Sequence, residues 1–156
     1  MHVITLKKFA LLALIQFFAA GFVHAQERGT ADQAKALVEK GLAHVKAAGV
    51  DKAAEDFSTK DGKWHEKDLY VFVQKFDGTT VAHGGNKGLV GKNMIDLKDA
   101  NGQTFIRSMI DTAKTKGSGW VDYMWTNPQS KKVEPKTTYV VRIPDYEGLI
   151  GVGIYK

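Results

Sequence analysis

At 156 residues and 44% apolar content the chain can bury one sizeable core, and no shift in composition along it argues for a second domain. Its net charge of +5 is mild and dispersed, without the basic stripe that nucleic-acid binding needs. The absence of cysteine excludes a disulfide framework, a thiolate metal site and a cysteine nucleophile.

The first 25 residues stand apart. Lys7-Lys8 precede an apolar run from Phe9 to Phe22, and the segment closes on Val23-His24-Ala25, with small residues one and three positions before a cut. That is the anatomy of a secretory leader removed after Ala25. The apolar run, interrupted by Gln16, is short against the ~20 residues that span a bilayer, so cleavage is expected rather than anchoring. Losing Lys7 and Lys8 lowers the net charge from +5 to +3. The expectation is an exported, periplasmic domain over residues 26–156, without stable membrane insertion.

From Ala31 to Ala48 the apolar positions Ala34, Leu37, Val38, Leu42, Val45 and Ala48 recur mostly at spacings of three and four, with lysines and Glu39 between them. The pattern predicts an amphipathic helix, capped near Thr30 or Asp32 and stopped at Gly49. A second short helix is expected over Asp51 to Phe57 with Asp51 as its cap, then a turn at Lys60-Asp-Gly-Lys63. Leu69 to Phe76 reads as a strand, Asp77-Gly78 as a two-residue turn of type I′, and Thr79 to His83 as the returning strand.

Gly84 to Lys92 is a glycine-rich loop, followed by a polar connection in which Met94, Ile95 and Leu97 are apolar anchors. A helix is predicted from about Gly102 to Thr115, with Phe105, Ile106, Met109, Ile110 and Ala113 on one face and Asp99 and Asn101 as its caps. Two runs rich in aromatic and β-branched residues follow, Trp120 to Trp125 and Val133 to Ile143, flanking a polar segment that contains Asn127-Pro128. They predict a central antiparallel hairpin with a longer loop. Leu149 to Tyr155 closes the chain as a last strand, with Gly151 and Gly153 on one side and Ile150, Val152 and Ile154 on the other. Glycines on one face of a strand invite close approach, which is assigned here to the N-terminal helix in preference to a ligand. The ensemble is an α+β arrangement: a five-stranded antiparallel sheet, the long helix on one face, the loop and mid-chain helix on the other.

Lys136 is the residue least explained by packing. It lies in an otherwise apolar or hydroxylic strand, opposite a strand bearing Trp120, Tyr123 and Trp125. An ammonium left buried and unpaired costs several kcal/mol, so Lys136 must reach either water along the sheet or an anion. In the second case it is a carboxylate clamp, with Trp120, Tyr123 or Trp125 as orienting donors. By parity Tyr123 and Trp125 face one way and Trp120 the other. Tyr70 and Tyr139 are candidates for the same site or for the core. His83 opens the glycine loop, either as a binding group titrating near neutral pH or as a surface histidine.

Other chemistries fail on spacing. His65-Glu66 has no second histidine four positions beyond His65, as a zinc-protease helix requires. The glycine loop ends in Gly91-Lys92, but Asn86 stands where a phosphate loop needs its first glycine and Asn93 where it needs Ser or Thr. Asp99-Ala-Asn101-Gly102 resembles part of a calcium loop with Leu97 and Ser108 at its two ends, where ligands belong. No metal, cofactor or catalytic group is expected, and no nucleophile, base and orienting group can be assembled.

In chain order, Asp68-Leu-Tyr-Val-Phe-Val, Asp77-Gly78, His83, Leu89-Val-Gly-Lys-Asn93, Asp99-Ala-Asn-Gly-Gln, Gly119-Trp-Val-Asp-Tyr123, Asn127-Pro128, Pro135-Lys-Thr-Thr-Tyr139 and Gly151-Val-Gly-Ile-Tyr155 resemble the single Cache domain. That is the PAS-like extracytoplasmic sensor module of bacterial chemoreceptors and histidine kinases. The resemblance implies a five- to six-stranded antiparallel sheet with a long N-terminal helix. It also implies a pocket on one side of the sheet for small ligands, commonly short organic acids. Family members usually continue into a transmembrane helix, whereas Lys156 follows directly on the last strand, so a free-standing periplasmic binding protein is expected.

Two functions follow. The first is a sensor-type module binding a short carboxylate, with a membrane receptor or kinase as candidate partner and Lys136, Tyr123, Trp125, Trp120, His83, Tyr139 and Tyr70 as candidate ligand-binding residues. The second is a Cache protein that binds no ligand and presents a docking surface to a membrane receptor.

Overall fold

The computed structural model describes residues 27–59 and 62–156. The expected leader, the start at Gln26 and the first half of the turn at Lys60-Asp61 lie outside the described residues.

Helix α1, Ala31–Ala48, begins where the sequence places its cap. Thr30 Oγ1 accepts from the Gln33 amide at 3.3 Å, and Gln33 Oε1 accepts from the Thr30 amide at 3.0 Å. Two otherwise orphaned N–H groups are thereby satisfied. Gly49, at φ 82°, ends the helix in a conformation that side chains avoid. Helix α2, Val50–Phe57, starts directly after Gly49, so Asp51 sits in its first turn and does not cap it.

Six strands follow: β1 His65–Glu66, β2 Leu69–Lys75, β3 Thr80–His83, β4 Ser118–Thr126, β5 Val133–Arg142 and β6 Gly148–Tyr155. All pair antiparallel in one sheet, in the order β1-β2-β6-β5-β4, with β3 beside β2 on the same edge as β1. The predicted five strands are present, and the short β1 makes the sixth. The β2–β3 turn has three residues, not two. Gly78 N–H donates to the Lys75 carbonyl and Lys75 N–H to the Thr79 carbonyl, with Gly78 alone at positive φ (92°) in the turn. This is a type I turn closed by a left-handed glycine, in place of the expected type I′.

The sheet separates two apolar clusters. On one face α1 and α2 pack Leu37, Val38, Val45 and Phe57 against Val71, Val73, Ile150 and Val152. On the other, helix α3, Phe105–Lys116, packs Phe105, Ile106, Met109, Ile110 and Ala113 against Phe72, Val121, Tyr123, Val140 and Leu149. Strand alternation distributes β6 between them. Ile150 and Val152 point to α1, and the close approach there is made by Gly41 of the helix, where a Cβ would lie 2.6 Å from Ile150 Cδ1. Gly151 and Gly153 face the α3 side, so the assignment of their space to the N-terminal helix is corrected.

Two smaller expectations also change. Asp99 does not cap α3, whose N-cap Thr104 makes no side-chain bond. Its Oδ1 accepts from the Asn101 and Gln103 amides and its Oδ2 from the Met124 amide, each at 2.9 Å, which ties the loop before α3 to β4. These three bonds hold the Asp99 carboxyl below its usual range. Leu97 is exposed, leaving Met94 and Ile95 as the anchors of that connection.

Candidate functional site

Register brings the site together. Lys136 of β5 pairs with Tyr123 of β4 on one side and with Tyr155 of β6 on the other. With period-two alternation, Lys136, Thr138, Tyr123, Trp125, Gly151, Gly153 and Tyr155 share the α3 face, joined by Tyr70 and Phe72 of β2. Lys136 is 1% exposed. Its stem crosses β6 over Gly153, where an added Cβ would stand 2.2 Å from Lys136 Cε and 2.3 Å from Thr138 Oγ1. The glycines thus make room for the lysine stem and, at Gly151, for the Phe72 ring.

The Lys136 Nζ donates to Tyr70 Oη at 2.6 Å and to Tyr155 Oη at 3.2 Å. It also lies 4.0 Å and 4.5 Å from the centroids of the same two rings. Tyr155 in turn donates to the Thr126 carbonyl at 3.0 Å. Tyr123 Oη meets Thr138 Oγ1 at 3.0 Å. No described carboxylate forms a salt bridge with Lys136. Burial holds its pKa well below the ordinary lysine value, with the field of Asp68 acting in the opposite direction. Burial likewise raises the phenols of Tyr70, Tyr123 and Tyr155, which remain neutral donors and acceptors.

His83 closes one side of the cluster, its ring 5.0 Å from that of Tyr70 and 6.3 Å from that of Trp125. Desolvation, followed by repulsion from Lys136, lowers its pKa to about 3. The expectation of titration near neutral pH is therefore corrected, because His83 is buried, which disfavours its charged form. Its Nδ1 accepts from the Asn86 amide at 3.0 Å, which assigns the proton of the neutral ring to Nε2. The glycine loop has a packing role here: a Cβ at Gly85 would stand 2.8 Å from the Tyr70 ring.

The inner cavity, under α3, has a volume of about 20 Å³ and is lined by Tyr70, Phe72, His83, Phe105, Tyr123 and Trp125, among others. That is about the room one water needs. A second cavity of about 420 Å³ opens to solvent between the glycine loop and the β4–β5 loop. Tyr70, His83 and Trp125 line both and form the partition between them.

Of the candidate residues, Lys136, Tyr70, Tyr123, Trp125 and His83 are brought together. Trp120 and Tyr139 are not: they pair across β4 and β5 on the α1 face, rings 5.3 Å apart, Trp120 being 36% exposed. Two further cations, Arg107 of α3 and Arg142 of β5, are exposed and paired with Asp96 and Glu147. Tyr155 and Thr138 were not singled out from the sequence, and Gly153 was singled out there only as a point of close approach assigned to the N-terminal helix. Their signal was parity, since Tyr155 shares the side of Gly151 and Gly153.

A polar cluster centred on one sheet face, covered by one helix while another backs the sheet, is the architecture of PAS-like sensor modules. The chain belongs to the single Cache domain family, since the family description single Cache domain 2 matches residues 25–156. It is 34% identical over 89 residues to the sensor histidine kinase MctS of Rhizobium johnstonii, a match covering 57% of this chain and 19% of that one. The chain spans about a fifth of the length of the curated relatives it matches. It is also similar to the solved structure of a methyl-accepting chemotaxis protein from Vibrio parahaemolyticus. There the TM-score is 0.68 and the identity 27%, covering 80% of this chain and 86% of that one. A Cache chemosensory domain described for carboxylic acid recognition shares the fold, with a TM-score of 0.64, 22% identity and coverage of 80% and 86%.

Proposed function

We propose that this domain binds a short organic acid through its carboxylate at Lys136, as the ligand-sensing part of an extracytoplasmic signalling system. The observation that carries the reading is a fully buried lysine whose described partners are two neutral phenols. The charged form of such a lysine has strong unused affinity for an anion, because a charge-assisted bond in a desolvated site is about twice as strong as a neutral one. Tyr70, Trp125 and the Nε2–H of His83 are the donors that fix orientation, while Tyr155 holds Nζ. Entry requires Trp125 and His83 to part, joining the inner cavity to the outer one.

Cache domains are extracytoplasmic ligand-binding modules, and among the described residues no helix is long and apolar enough to cross a membrane. Export through the leader ending at Ala25, with a chemoreceptor or sensor kinase as the downstream partner, completes the proposal. No catalytic role is assigned to the cluster. The experiment is a thermal-shift and calorimetric screen of short organic acids. A ligand at about 100 times its dissociation constant stabilises the fold by about 2.7 kcal/mol.

A second reading is supported by the small inner cavity. At about 20 Å³ it leaves no space for an organic acid unless the partition opens. A Cache domain that binds nothing and docks on a membrane receptor would keep this closed packing. It predicts no stabilisation by any acid in the screen.

A further inference from the structure

Resting on the carboxylate reading, we propose that the Lys136 site takes up a proton together with the carboxylate, so that occupancy rises as the medium becomes more acidic. The geometry of the unliganded site favours the neutral amine. A charged ammonium presents three donors, while the described acceptors in reach are two, Tyr70 Oη and Tyr155 Oη. The Tyr155 hydroxyl proton is directed to the Thr126 carbonyl, so Tyr155 can only accept from Nζ. Tyr70 likewise accepts from Nζ, at 2.6 Å. The two N–H groups of a neutral amine are then both satisfied, one by each phenol. The ammonium leaves one N–H without an acceptor, at a position that is 1% exposed.

The groups around it hold their charges while this happens. Tyr70 from β2, Tyr123 from β4 and Tyr155 from β6 are phenols raised by burial. His83 from β3 is neutral above about pH 3. From α3, Phe105, Ile106 and Met109 present no titratable group. Lys131 stands at the outer cavity. Glu134, farther along β5, is engaged by Arg28, Asn127 and Ser130. Among the described residues Asp68 is the anion whose field favours the charged lysine. Its Oδ1 is taken by the Gly29 amide at 2.7 Å, and it makes no salt bridge to Nζ. A bound carboxylate supplies the missing acceptor and a countercharge at contact distance, which returns the proton to Nζ. Ligand binding and proton binding are then one linked event.

Calorimetry on the wild-type protein with acetate, propionate and pyruvate, at neutral pH in buffers of different protonation heat, tests this. The expected result is a binding heat that varies with the buffer, showing uptake approaching one proton per ligand. Affinity should weaken by about tenfold for each pH unit raised above the free-site Lys136 pKa. A ligand-free measurement accompanies it: the stability of the wild type should rise with pH towards the ordinary lysine range, and that rise should be absent in Lys136→Met. Binding with buffer-independent heats, or a flat wild-type stability profile, overturns the proposal while the carboxylate reading stands. Failure of all three acids to bind overturns that reading and the proposal with it.

Discussion

Gly153 lies directly under the stem of Lys136: a Cβ on the glycine would stand 2.2 Å from Lys136 Cε. The two residues belong to adjacent strands, and the space left by one side chain is the path taken by the other. A buried lysine can reach the centre of the sheet face because its neighbour has no side chain.

Gly153→Ala should therefore act on Lys136 before it acts on the backbone. Overpacking of this kind costs about 1–3 kcal/mol, and the flexible stem relieves part of it by moving. The expected outcome is a lowered denaturation midpoint and a weaker response to organic acids in the protein that remains folded. Full stability with unchanged binding would show that the stem has another route.

Lys136→Met keeps much of the stem and removes the charge. Because a well-packed apolar replacement of a buried charge is often neutral or stabilising, the variant should fold with equal or higher stability. A carboxylate ligand would lose a charge-assisted bond worth roughly 1.5–3 kcal/mol, which is about a tenfold to hundredfold loss of affinity. Titration calorimetry with an acid from the screen reads this directly. Unchanged affinity in the folded variant would remove Lys136 from the site.

His83 should stay neutral through the physiological range and resist protonation down to about pH 3. The sign of the linkage follows from the depressed folded value. Above the unfolded value of about 6.5 both states are neutral and the group has no effect. Between there and about 3 the unfolded chain binds the proton first, so stability falls as the pH falls through that window. Imidazole resonances followed by NMR should show no His83 titration between about pH 5 and 8, and His83→Phe should flatten the acid limb of the stability profile. An imidazole shift centred near the ordinary histidine value would contradict the buried placement.

Gly78→Val should destabilise the domain without touching the ligand site. Gly78 has φ 92°, and a Cβ there would meet Ile95 Cβ at 2.5 Å and Asn93 Oδ1 at 2.8 Å. Backbone strain in a disfavoured region is worth about 1–3 kcal/mol, with the clash added. Chemical denaturation should give a lower midpoint, and affinity per folded molecule should be unaltered. Loss of binding at full stability would mean that this turn, remote from Lys136, serves the ligand.

Local and periodic features were legible in the residues themselves. The amphipathic spacing from Ala34 to Val45, with Thr30 before it and Gly49 after it, is enough to place α1 because capping and periodicity are properties of adjacent residues. The parity of Tyr123 and Trp125 against Trp120 was equally visible, and so was the anomaly of a lysine between Pro135 and Thr137. Parity groups side chains by face but carries no information about which face receives which helix. That was decided by packing: α1 rests on Ile150 and Val152, and α3 stacks Phe105 on Tyr123 with ring centroids 4.5 Å apart. Once those helices are placed, Trp120 and Tyr139 fall on one side, and Lys136 falls on the other with Tyr70, Tyr155 and His83. The depressed basicity of His83 and Lys136 belongs to that same level, because desolvation exists only where distant segments close over a charge.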